Sequence, residues 1–173
     1  MLEQAQNIII EKLKELQAKI ASNIEASGKS ASGRTAKSMY VEPTDNGAAL
    51  KTSQGNIMFQ TLETGRKAGK IPYNFRAIIQ QWIIDKGISI SPIPYIRKPS
   101  ENWQPKYSPQ ERGELSLAGA IAHKIKTEGT KLFRDGGRAD IYSNEIPNTV
   151  AEIKKAIFPI LKAEVLKTIK INQ

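Results

Sequence analysis

The chain has 173 residues, of which 39% are hydrophobic, a formal net charge of +9 and no cysteine. That length suits one domain, residues 1–173, with a real core, and the composition does not fit disorder. The lack of cysteine excludes disulfides, thiolate chemistry and cysteine-ligated zinc, and fits synthesis in a reducing cytosol.

The start, "MLEQAQNIIIEKLKEL", lacks the basic leader and long apolar run of a signal peptide. Apolar residues at Leu2, Ile9, Leu13, Leu16, Ile20 and Ile24 recur at helical spacing and predict a first helix over 2–27. Gly28 and Gly33 then suit a helix stop and a mobile connection at 28–34. Met39 and Val41 precede Asp45-Asn46-Gly47, and Ala48 to Thr52 follow it. Asn-Gly can supply two positive-φ positions, so this stretch predicts an antiparallel hairpin. "NIMFQTLE" is a further extended or short helical piece.

Beyond Pro72 a helix is predicted, with Asn74 as its cap, Ile78, Ile79, Trp82 and Ile83 as its apolar face, and Gly87 as its stop. Residues 88–109 hold five prolines and predict a long irregular loop. Ile93, Tyr95, Ile96, Trp103 and Tyr107 make it too apolar for a free linker, so it is expected to lie on its own domain or on a neighbour. Ser108-Pro109-Gln110-Glu111 reads as a capping box opening a helix with Leu115, Ala118, Ile121, Ala122 and Ile125 inward. Gly113, Gly119 and Gly129 on that helix would be justified by close approach of another backbone. Residues 134–144 are predicted irregular, and a last helix from Glu145 carries Val150, Ile153, Ile157, Ile160 or Leu161, Val165 and Ile169, with Pro159 as a candidate kink. Helices around a small antiparallel sheet place the chain in the α+β class.

No catalytic set accompanies this plan. "SGKS" at 27–30 resembles the end of a phosphate-binding loop, but Asn23 stands where that motif needs glycine. His123 is the only histidine and has no matching nucleophile, and Glu111 and Glu114 are explained by the field at a helix N-terminus. The expectation is a protein that is not an enzyme, with no metal and no cofactor. No stretch is long or apolar enough to span a membrane.

The charge is uneven. Residues 51–110 hold nine basic and three acidic side chains, which suits a polyanion, an acidic protein surface or simply a solvated face. Within "LETGRKAGKIPYNF", residues 62–75, Gly65 and Gly69 permit a tight turn, Pro72 fixes its exit, and Arg66, Lys67 and Lys70 are expected at its tip as a rigid docking contact. Anion capture at the helix start, Asn74 to Arg76, is the second reading. Tyr73, Phe75, Trp82, Tyr95, Trp103 and Tyr107 are candidate interface anchors, and Arg76, Arg97, Lys98 and Lys106 candidate contacts to DNA or an acidic surface. Cations interleaved with aromatics suit single-stranded nucleic acid and protein interfaces alike, and no RNP, KH or helix-turn-helix signature decides between them.

The order of features resembles the tail-completion, neck or head-to-tail connector proteins of tailed bacteriophages. The resemblance is carried by "LETGRKAGKIP" at Leu62 to Pro72, "WIIDKGI" at Trp82 to Ile88, and Ile121 to Arg134 before the "FRD" segment. It implies a non-enzymatic virion subunit, made in the host bacterial cytoplasm, that assembles with copies of itself into a six- or twelve-fold ring at the neck or upper tail. Such a ring would dock to portal, adaptor or tail-tube proteins around the DNA channel. The proline-rich stretch 88–109 looks longer than in compact versions of the family. A DNA- or RNA-binding accessory protein using 62–107 is the alternative, and an enzyme with a carboxylate or metal site a third.

Overall fold

The computed structural model of the chain describes residues 2–28, 30–53, 56–96 and 104–171. It is 61% helical with a two-stranded antiparallel sheet, an α+β protein as the sequence predicts. The elements are α1 (Leu2–Ala26), α2 (Arg34–Lys37), β1 (Met39–Thr44), β2 (Gly47–Thr52), α3 (Asn56–Thr64), α4 (Phe75–Asp85), α5 (Pro109–Glu128), α6 (Lys131–Arg134) and α7 (Glu145–Ile171). They group into two compact units, Met1–Thr64 with Arg138–Gln173, and Gly65–Gly137.

In the first unit, α1 lies against the hairpin and α7. Leu16, Ile20 and Ile24 of its apolar stripe are buried with Ala36, Met39 and Ile141. Polar residues beside the stripe complete the packing. Gln6 Nε2 donates to the carbonyls of Thr44 (2.9 Å) and Gly47 (3.1 Å), and Gln17 Nε2 to Met39 O (2.8 Å). Asn23 Nδ2 donates to Ile141 O at 3.1 Å. The bonds to Gly47, Met39 and Ile141 satisfy carbonyls that burial against a helix would otherwise orphan. The hairpin has the expected position, with Met39 opposite Thr52 and Thr44 opposite Gly47, but its turn is not the expected one. Neither Asp45, Asn46 nor Gly47 has a positive φ. Gly47 instead begins β2, where a Cβ would sit 3.7 Å from Ile9 Cδ1 on α1.

The second unit pairs α4 with α5. Phe75, Ile79 and Ile83 are buried against Ala118 and Ala122, with Ile71, Ile90, Leu117, Ile121 and Ile125 around them. Ile78 and Trp82, expected on the inward face of α4, are substantially exposed. The i, i+4, i+8 row is the one that meets the small-residue stripe of α5. Asn74 takes the N-cap position but makes no side-chain cap bond. The stop at Gly87 is as expected: Gly87 has φ 62, and the amides of Gly87 and Ile88 donate to Ile84 O and Ile83 O, the paired bonds of a Schellman motif. The Ser108–Glu111 capping box is present on α5.

The described part of the proline-rich stretch folds back on its own unit. Ile93 N donates to Pro109 O at 2.9 Å, and Arg112 Nη1 donates to the carbonyls of Ile93 (3.0 Å) and Pro94 (2.8 Å). Gly113 explains the close fit, since a Cβ there would lie 2.6 Å from Ser91 O. In the region expected to be irregular at 134–144, α6 ends at Arg134 and positive-φ Gly136 and Gly137 follow.

Candidate interaction surface

The loop between α3 and α4 is held at both ends by backbone hydrogen bonds. Gly65 has φ 69 and Gly129 φ 78. A Cβ on Gly65 would meet Phe133 N at 2.5 Å and Thr130 Oγ1 at 2.6 Å, and one on Gly129 would meet Arg66 O at 2.7 Å. The two strands of chain can therefore touch only as glycines. In that contact Arg66 N donates to Thr130 Oγ1 (2.9 Å), and Thr130 N donates to Arg66 O (2.9 Å). Thr130 Oγ1 also accepts from Phe133 N, capping α6. Further along, Gly69, with φ 136, donates its N–H to Lys126 O at 2.9 Å. The loop is a fixed shape built on the end of α5.

Its cations divide into two kinds. Arg66 Nη2 donates to Lys70 O at 2.9 Å and the guanidinium lies 5.3 Å from the centroid of the Phe75 ring. Arg66 thus braces the loop from within rather than standing at its tip. Lys67 and Lys70 are exposed. Pro72 O accepts from Phe75 N at 3.1 Å, turning the chain into α4, and this leaves Tyr73 fully exposed beside the lysines.

The other predicted contacts divide similarly. Arg76 donates Nε and Nη2 to Leu115 O at 3.0 and 2.7 Å. It reaches that mid-helix carbonyl over Gly119, where a Cβ would sit 3.5 Å from Arg76 Nε. Arg76 is therefore a clasp between α4 and α5. Phe75 is a core residue. Tyr95 stacks under Arg112, 4.0 Å from guanidinium carbon to ring centroid, and its hydroxyl donates to Tyr107 O at 2.8 Å. Lys106 lies over the exposed Tyr107 ring. Trp82 is partly exposed beside Ile121 and Ile125. Trp103, Arg97 and Lys98 lie outside the described residues.

Thr130, which ties the loop to α6, carries no signal in the sequence beyond its place after a glycine. Glu63 is the other residue to which sequence reasoning gives no role, since its spacing brings no second carboxylate to it. It is 2% exposed, and its Oε1 accepts the backbone N–H groups of Ile141, Tyr142 and Ser143 at 2.8, 2.7 and 3.0 Å. The Ser143 hydroxyl donates to Oε2. Burial pushes the carboxyl upward, but the Ser143 hydroxyl and the three amides outweigh it and hold Glu63 below the usual glutamate range. A lone acid after Leu62 in "FQTLETG" is the only hint.

Among the described residues no group of three or more His, Asp or Glu side chains is placed to hold a metal ion, and no helix is long and apolar enough to cross a membrane. No protein-family profile, curated protein or solved structure matches the chain.

Proposed function

We propose that this chain is a non-enzymatic structural subunit of a tailed-phage virion, assembling with copies of itself into a ring at the neck or upper tail. The resemblance to tail-completion and connector proteins motivates the reading. The observation that carries it is the state of α7. Ile153, Ile157 and Ile160 are half-buried, whereas Phe158, Leu161, Val165, Leu166 and Ile169 are exposed. At about 100° per residue the stripe of Phe158, Val165 and Ile169 sits roughly 130° around the helix from the first set, while Leu161, between the two, lines a cleft with Ile157 and with Ala5 and Ile9 of α1. An apolar stripe turned away from its own unit is suited to contact with another subunit. The fixed loop bearing Lys67, Lys70 and Tyr73 is a second surface, suited by its charge to an acidic face of a neighbouring virion protein.

Light scattering at low and high salt, with and without DNA, tests this. The reading expects oligomers that persist in high salt without DNA. A monomer that binds DNA and releases it steeply as salt rises would overturn it in favour of the nucleic-acid reading. That alternative draws on the charge of residues 65–137, which hold thirteen basic and six acidic side chains.

A further inference from the structure

A groove of about 450 Å³ opens on the second unit between α4, α5 and the start of α6. Its floor is apolar, formed by Trp82, Ile121 and Ile125, and its rim carries Lys124, Lys131 and Arg134. We infer that this groove docks an acidic amphipathic segment of another protein, with an apolar side chain seated on Trp82 and a carboxylate facing Lys124.

Two observations select this occupant. The first is the floor: a partly exposed tryptophan flanked by two isoleucines offers the kind of desolvated anchor on which binding energy concentrates. The second is the charge around it. Arg134 is held by Glu128 at 3.2 Å and by Gly129 O at 2.8 Å, and Lys131 pairs with Asp135. Lys124, one turn before Glu128, has no carboxylate partner among the described residues. The unit as a whole carries seven of the chain's nine net positive charges. A second copy of this basic unit, or of the lysine-rich α7, would bring like charge to the rim, whereas an acidic segment neutralises it. The groove is shaped independently of any ring, so the inference does not depend on the virion reading.

The experiment uses the full chain with Trp103→Phe, which leaves Trp82 as the only tryptophan. The probe is a short synthetic helix with Leu and Phe on one face and Asp and Glu on the other. Its counterpart has Lys in place of the acids, and phosphatidylglycerol vesicles and duplex DNA serve as rival ligands. The acidic peptide should blue-shift Trp82 emission saturably, and Lys124→Glu should weaken it about tenfold at unchanged melting temperature. Trp82→Ser, followed by labelled peptide, should abolish binding while circular dichroism stays unchanged; if that variant unfolds, the Lys124→Glu titration carries the decision. Equal binding of the acidic and basic peptides, indifference to Lys124→Glu, or a response to vesicles or DNA but not to the acidic peptide would each overturn the assignment.

Discussion

The carboxylate of Glu63 and residue Ser143 are bound twice over, through the Ser143 amide at 3.0 Å and through its hydroxyl, across 80 positions of sequence. With the amides of Ile141 and Tyr142 on the same oxygen, one side chain organises the turn that leads into α7 and buries Ile141 in the core of the first unit. Glu63→Ala would leave three amides without an acceptor and should cost about 3 kcal/mol or more. Glu63→Gln, which keeps one acceptor oxygen but no charge, should cost less. Urea denaturation of both variants checks the order.

The same carboxylate makes stability depend on acid. Its folded-state value lies below the ordinary one, so the unfolded chain takes up its proton first. The contribution is complete above the ordinary glutamate value of about 4.3 and declines below it, vanishing once the pH is under the folded value. Between about pH 6 and about pH 3, Glu63→Gln should therefore lose less stability than the parent. A parallel loss in both proteins would show that other carboxylates govern the acid response.

Gly65 and Gly129 should be far less replaceable than Gly28. All three have positive φ, but a Cβ at Gly28 meets nothing within 4 Å, whereas at the other two it meets backbone below 3 Å. Gly28→Ala should cost about 1 kcal/mol. Gly65→Ala and Gly129→Ala should cost at least twice that, because strain and a backbone clash add. Thermal melts would separate the two classes.

Arg66 and its neighbours should part company on charge reversal. Lys67→Glu with Lys70→Glu should leave the melting temperature nearly unchanged and reduce assembly, since both side chains are exposed. Arg66→Glu should destabilise the fold itself by about 1–2 kcal/mol, losing the bond to Lys70 O and the stacking on Phe75. If the double lysine variant assembles normally, the loop is not a docking contact.

The exposed stripe of α7 makes a separate prediction. Replacing Val165 and Ile169 by Ser should leave stability within about 1 kcal/mol, because both are exposed. Any oligomer seen by light scattering should fall to a smaller species. Unchanged mass would remove α7 from the assembly surface.

Much of the secondary structure could be read directly from residue order. The helical spacing of Leu16, Ile20 and Ile24, the box at Ser108 and Glu111, and the stop at Gly87 are local devices whose partners lie within a few residues. The hairpin was legible for the same reason, although its turn conformation was not. There Gly47 is retained by contact with Ile9, a residue on another element.

What local order leaves open is which of several chemically equal choices the fold uses. The helix from Phe75 is apolar on more than one side, and only the small residues Ala118 and Ala122 opposite it select Phe75, Ile79 and Ile83 for burial. Arg66, Lys67 and Lys70 look alike as a string of cations. A bond to Lys70 O and the Phe75 ring turn Arg66 inward, a long-range bond holds Arg76 on Leu115 O across Gly119, and the lysines are left outside. Glu63 meets its three amides only because the chain returns to it after a second compact unit has been built, and no spacing rule encodes a contact that depends on that return.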